Sequence, residues 1–285
     1  MKKLLNWVFP AILMLAAAVR GVYLIEIQQR PDFTQPGLDA GYHDYWARGM
    51  AFGDWTPPHN QQDPLIASLP YFRPPGYPYF LAAIYRVSGG SPYASRVVQF
   101  ALGLFNIVLA YQFAKKWFGA TTGWLTALSN ATYWVFVYYE GELLEPVLLI
   151  TLTWLILSWL GDWLRHPSKK YLLFAGAALG GAALVRPNAL LVLPACLGWV
   201  IWNLPRPISG KRVIGSVALF TAGTALLVSP VPLRNWIVAN DFVLISSNGG
   251  INMLLGQDRE AVVDHASDAT GHWNCYDAPA LMDLA

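Results

Sequence analysis

Seven apolar runs constrain this chain more than any other feature: Leu4 to Ile27, Arg96 to Ala114, Gly119 to Tyr138, Glu145 to Trp163, Tyr171 to Val185, Asn188 to Trp202 and Val213 to Leu233. Crossing about 30 Å of hydrocarbon takes about 20 mostly apolar residues, fewer where the ends are buried in protein. Lipid offers the backbone no hydrogen-bond partner, so such runs must close their own bonds as helices. The expected fold is therefore all-α, a polytopic membrane bundle of about seven transmembrane helices. A content of 55% hydrophobic and 13% charged residues, with 13 Trp, agrees with that class. The net charge of +2 is too balanced for a nucleic-acid partner. Cys196 and Cys275 stand far apart with no ligand spacing, so neither a disulfide framework nor a cysteine metal site is indicated.

Basic residues set the expected topology, because Lys and Arg are retained on the cytoplasmic side. An eighth apolar stretch, Gly76 to Val87, is short, carries Pro78 and ends near Arg86. If it lies along the interface, Lys2-Lys3, Lys115-Lys116, Arg165 with Lys169-Lys170, and Arg206 with Lys211-Arg212 all fall inside; if it spans, most of them fall outside. The interfacial alternative is preferred. It puts the N-terminus in the cytoplasm of a multi-pass protein of the cytoplasmic (inner) membrane. The loop 28–95, the turn 139–144 and the tail from Arg234 then share the outer side. The opening run lacks a small-x-small cleavage site, so it reads as a retained helix and not a cleaved signal. Residues 1–233 form the expected transmembrane module, with 28–95 as its first outer loop, and 234–285 as the start of a longer, truncated tail. The stretch SSNGGINMLLGQDRE is expected to begin that tail as a strand leading into a turn.

The outer segments carry the groups suited to chemistry. In GYHDYWARGMA, a helix starting just after Asp39 puts Asp39, Tyr42, His43 and Trp46 on one face, with Asp39 either an N-cap or a presented acid. Asp44 falls on the opposite side and reads as a solvated or interfacial acid. YYEGELLEP adds Glu140, Glu142 and Glu145, of which Glu142 is favoured over Glu140, and Glu145 before Pro146 resembles an ordinary first turn. Arg20, Arg73, Arg186 and Arg234 are assigned to the same rim, where each either snorkels or helps hold a phosphate. Short, interrupted fifth and sixth spans meet at Val185-Arg186-Pro187-Asn188, a pattern tolerated where helix ends line a cavity.

In order along the chain, an Asp followed by a Tyr/Trp-Ala and Gly-Asp-Trp pattern, then YFRPPGYPYFLAAIY, YYEGELLE, RPN, LRN and SSNGGIN resemble the GT-C superfamily of membrane glycosyltransferases. Within it they resemble specifically the bacterial branch related to dolichyl-phosphate-mannose protein mannosyltransferases and aminoarabinose transferases. The resemblance covers almost the whole chain. It implies an inverting transferase that moves a sugar from a polyprenyl-phosphate donor to a protein, lipid or glycan acceptor on the outer face. It further implies Asp39 as general base, with Glu142 near the acceptor or a bound divalent cation. Arg73, Arg186 and Arg234 correspond to donor-phosphate positions, and Tyr42, His43, Tyr77, Asn188 and Asn248 to the substrate-binding surroundings. Two positions depart from the family pattern: Asp39-Ala40 where Asp-Glu is common, and Gly256-Gln257 where Gly-Asn is usual. The first leaves any acid paired with Asp39 to come from Glu142, or its place to be taken by His43. A transporter or flippase for a lipid-linked saccharide is the alternative, and would expose a route to both faces.

Overall fold

A computed structural model of the chain describes residues 2–56, 71–249 and 253, with side chains from residue 7 onward. Cys275, the Gly256-Gln257 departure and most of the tail therefore lie outside the described residues. Within them the regular elements are helical: α1 (Lys2–Ile27), α2 (Leu38–Phe52), α3 (Gly76–Ser88), α4 (Pro92–Phe118), α5 (Ala120–Thr132), α6 (Trp134–Gly141), α7 (Pro146–Arg165), α8 (Lys169–Val185), α9 (Leu193–Trp202), α10 (Gly210–Val228) and α11 (Pro230–Ala239). Short 3-10 turns at Pro31–Phe33 and Pro187–Val192 complete the order.

Four stretches are long and apolar enough to cross a membrane, against the seven expected: Trp7–Ile27, Pro92–Phe118, Pro146–Arg165 and Gly210–Ala239. The differences have local causes. The run from Gly119 to Tyr138 is broken where Tyr133 turns to an extended ψ of 104°, leaving helices of 13 and 8 residues. α8 has 17 residues, which rise only about 25 Å. The run from Asn188 opens as a 3-10 turn behind Pro187, and only its last ten residues form α9. At α3, 13 residues reach about 20 Å, too short to cross unaided. Its buried face, Tyr77, Leu81 and Tyr85, packs against Ala40, Ala47 and Ala51 of α2.

Glycine sets the tightest helix crossing. A Cβ on Gly176 of α8 would lie 2.0 Å from the Phe220 carbonyl oxygen of α10, and one on Gly223 would lie 2.2 Å from that of Leu173. Small residues let two membrane helices bring their backbones together where lipid supplies no hydrophobic drive between them. Thr224 adds a hydroxyl bond to the Gly176 carbonyl at 3.0 Å. Around this seam Ile156, Leu160, Trp163, Leu172, Leu179, Val200 and Phe220 form the largest core.

The other end of the architecture is built by a polar spine on α4. Arg96 donates to the carbonyls of Gly141 (2.7 Å) and Phe33 (2.9 Å), with its guanidinium over the Phe33 ring. One helical turn on, Gln99 donates to the carbonyls of Glu140 (2.8 Å) and Glu142 (2.6 Å) and accepts from the Tyr77 hydroxyl. Both side chains are buried, and they tie the end of α6 and the non-helical 142–145 segment to α3 and to the 3-10 turn after α1. Burial of these polar groups is tolerated because each is paired.

Candidate functional site

Segments expected to share one side meet at one end of the bundle, where the first loop and the chain after α10 line a cavity of about 710 Å³ and the turn 139–144 is tied to α3 behind it through Gln99. The FRPPG loop reaches it by passing directly over the end of α8. A Cβ on Gly76 would stand 2.6 Å from the Leu184 carbonyl carbon, so a glycine is required at that approach. Beyond α11 the chain folds back onto the same loop. Tyr71 bonds Asp241 at 2.9 Å, and the backbone N–H groups of Ser247 and Asn248 donate to the carbonyls of Tyr71 and Phe72, each at 3.1 Å. Asn235, 1% exposed, donates to the Val243 and Ile245 carbonyls and holds the returning segment down. The strand expected to open the tail is replaced, in its described part, by this irregular pairing and a helical turn at Asn248 and Gly249.

Arg73 and Arg234 line the cavity from opposite segments. Trp46, Trp55 and Tyr71 contribute aromatic wall, and Leu184, Leu227, Val231 and Ile245 contribute apolar wall. Arg73 lies with its guanidinium 4.5 Å from the centre of the Tyr42 ring and its Nη1 2.8 Å from Asp39 Oδ1. Asp39 is in the first turn of α2, whose cap is Gly37 without a side-chain bond; Asp39 is thus not the N-cap. Its carboxylate is 65% exposed, while Tyr42, His43 and Trp46 on the same face are buried. Arg234 bonds its neighbour Asn235 at 3.2 Å.

Glu145 is the acid that sequence reasoning passed over. Its Oε1 holds Arg186 at 3.1 Å, and its Oε2 lies 3.7 Å from His43 Nε2. The result joins α2, the start of α7 and the turn after α8. Burial alone would raise this carboxyl, but the nearness of the His43 imidazole, a backbone N–H and the Arg186 charge outweigh it and pull it down to about 2. Glu142 behaves oppositely. Burial pushes its carboxyl up, only partly offset by Arg96. Among the described contacts, Asp39 is joined to Arg73 and none joins it to Glu142. His43 stacks edge-on to Tyr77 at 4.8 Å, and its Nδ1 is buried without a partner.

The arginine rim divides. Arg73 and Arg234 face the cavity, and Arg186 is bound to Glu145. Arg20 is no rim group at all: it is 2% exposed and bonds Glu140 with two nitrogens, at 2.6 and 2.8 Å. Asp44 is not solvated either, since it pairs with Arg48 at 2.8 Å and accepts from the Tyr85 hydroxyl. Asn188 is exposed on the 3-10 turn after Arg186, and the Asn248 side chain accepts from Ser246 at 3.0 Å. Arg96, Gln99 and Asn235, which position these segments, left a signal in the sequence: polar side chains inside or beside apolar runs, a costly placement that demands partners. Among the described residues no group of three or more His, Cys, Asp or Glu converges as a metal site requires.

Neither curated proteins nor solved structures yield a match to this chain. A family model does: the one described as dolichyl-phosphate-mannose-protein mannosyltransferase matches residues 72–234. That interval holds Arg73, Tyr77, Glu142, Arg186, Asn188 and Arg234, while Asp39, Tyr42, His43 and Asn248 lie outside it. The match spans more than half of the chain, which with its membrane helices and polar cavity end makes this protein a member of the dolichyl-phosphate-mannose-protein mannosyltransferase family of membrane glycosyltransferases.

Proposed function

We propose that this protein transfers a sugar from a polyprenyl-phosphate donor to a hydroxyl of a protein, lipid or glycan acceptor, with inversion, at the cavity end of the bundle, and that this end faces the outside of the cytoplasmic membrane. The observation that carries the reading is the meeting of Arg73 and Arg234 on one cavity, with the Asp39 carboxylate held against Arg73 at the cavity's edge. Two guanidiniums suit a phosphate, apolar walls suit an isoprenoid chain, and Trp and Tyr faces suit a sugar ring. The gathering of Arg73, Arg234 and Asp39 at one cavity supports an enzyme over a transporter.

The acceptor oxygen attacks the anomeric carbon as its proton passes to Asp39. The bond from that carbon to the phosphate oxygen breaks, and the polyprenyl phosphate leaves with the electron pair, its charge met by Arg73 and Arg234. Donor phosphate also competes with Asp39 for Arg73. Loading the donor thus frees the carboxylate to meet the acceptor hydroxyl. Glu142, whose carboxyl burial has pushed up, is assigned to the acceptor side, and Arg186 to the approach of the donor.

Asp39→Asn tests the assignment. Transfer of labelled sugar from polyprenyl-phosphate donors should fall by about 10² to 10⁴-fold, the usual worth of a positioned base, with membrane insertion unchanged. Turnover like that of the unmodified protein would sink the role of Asp39.

A further inference from the structure

A second cavity, of about 580 Å³, lies at the opposite end of the bundle, where α7 ends and α8 and α10 begin. Its walls include Trp163, Leu172 and Leu204, and its rim carries Lys169, Lys211 and Arg212. No acidic side chain is among the described residues that line it. The nearby acid Asp162 is engaged by Lys116, and no described ion pair takes up Lys169, Lys211 or Arg212. Arg212 Nη1 reaches the Pro205 and Pro207 carbonyls at 3.4 and 3.5 Å, which are neutral, so among the described residues no acid offsets these three cations around an apolar hollow.

Two further features point to an anion at this place. α8 starts at Ser168, whose side chain makes no capping bond, while the Tyr171 N–H is taken by the Ser168 carbonyl at 3.1 Å; α10 starts at Ser209, whose hydroxyl caps the Arg212 N–H. Helix starts attract negative charge, here from two helices at one cavity. Depth is marked by tryptophan. Trp199 packs 6.1 Å from Trp163, and Trp202 at the end of α9 is 83% exposed, next to the Leu204 wall. Exposed Trp beside Lys and Arg is the pattern of the membrane–water boundary, where head groups lie. Ile214, 71% exposed on α10, offers apolar surface beside the rim for an acyl chain.

We propose that this cavity binds the phosphodiester head group of an anionic phospholipid, its phosphate among Lys169, Lys211 and Arg212 and its acyl chains along the outer surface of α10. The site is separate from the transfer cavity and does not depend on the donor or acceptor used there. It would anchor the ends of α8 and α10, the pair whose glycine seam leads up to Leu184 and Gly76 at the transfer cavity.

Native mass spectrometry of the purified full chain in detergent, titrated in turn with phosphatidylglycerol, phosphatidylcholine and inorganic phosphate, tests this. Phosphatidylglycerol should be retained at least about tenfold better than phosphatidylcholine. Phosphate at equal concentration should not displace it. The triple variant Lys169→Ala, Lys211→Ala, Arg212→Ala should lose that preference. Equal retention of both lipids, displacement by inorganic phosphate, or an unchanged preference in a folded triple variant each overturns the proposal. The comparison of ligands on the unmodified protein stands even if the variant does not fold.

Discussion

Two arginine–carboxylate pairs in this molecule share their chemistry and differ in everything else. Arg20 and Glu140 join α1 to α6 inside the bundle, with both side chains nearly removed from solvent and the one remaining guanidinium nitrogen, Nη1, directed at the Ala16 and Ala131 carbonyls. Gly103 of α4 makes the room: a Cβ there would stand 2.2 Å from the Glu140 carboxylate. Arg73 and Asp39, by contrast, meet at a cavity edge with the acid open to solvent. A buried, fully bonded pair has no capacity left for a substrate, and separating it leaves an uncompensated charge in the bundle. An open pair exchanges partners at little expense. Chemical type alone thus does not tell a structural arginine from a functional one; burial and saturation do.

The sharpest way to break this contrast is to remove one partner from the buried pair. Glu140→Leu should destabilise the bundle by about 3–5 kcal/mol, read as a lowered unfolding temperature in detergent, because Arg20 is left charged and unpaired. Unfolding like the unmodified protein's would place Glu140 among groups free to do chemistry. Next in size is Arg73→Ala, which should leave folding nearly intact and weaken donor use. Loss of a charge-assisted bond to phosphate, about 1.5–3 kcal/mol, corresponds to about a ten- to hundred-fold rise in donor KM. A kcat fall with donor KM untouched would remove Arg73 from the phosphate.

The smallest effect concerns Glu145, between the two extremes in exposure. Its carboxyl is lowered from 4.5 to about 2 in the fold, so it stabilises the folded state above the ordinary value, and that stability is lost as pH falls through about 2. Because Arg186 is half-exposed, solvent screening leaves a contribution on the order of 1 kcal/mol. Unfolding measured from pH 5 to pH 2 should show that loss in the unmodified protein. Glu145→Gln should show a flatter profile, and identical profiles would remove Glu145 as the joint between His43 and Arg186.

Much of the site was legible because local rules govern it. The placement of Tyr42, His43 and Trp46 on one buried face of α2 follows from helical spacing, and the gathering of four separate segments at one end follows from charge and span parity. The acids of YYEGELLEP were not legible by such rules. Helical phase carries no information where Glu142 leaves α6 in an extended conformation, with ψ 150°, so the choice of Glu142 over its neighbours had no geometric basis. LRN drew attention to its arginine, whereas its asparagine pins the returning segment. Arg20 read as a rim residue because its partner lies 120 positions away. Asp44 looked solvated for a similar reason, since the Tyr85 hydroxyl that covers it comes from α3.

By itself the sequence determined that the chain is a helical membrane bundle with polar, aromatic and basic segments concentrated in particular loops, because hydrophobic length and charge placement act locally and need no partner to be read. Only the tertiary structure decided which of the arginines and acids are spent on holding the bundle together and which stand at a cavity. That division rests on burial and on long-range pairing, which arise when segments far apart in the chain are packed against one another.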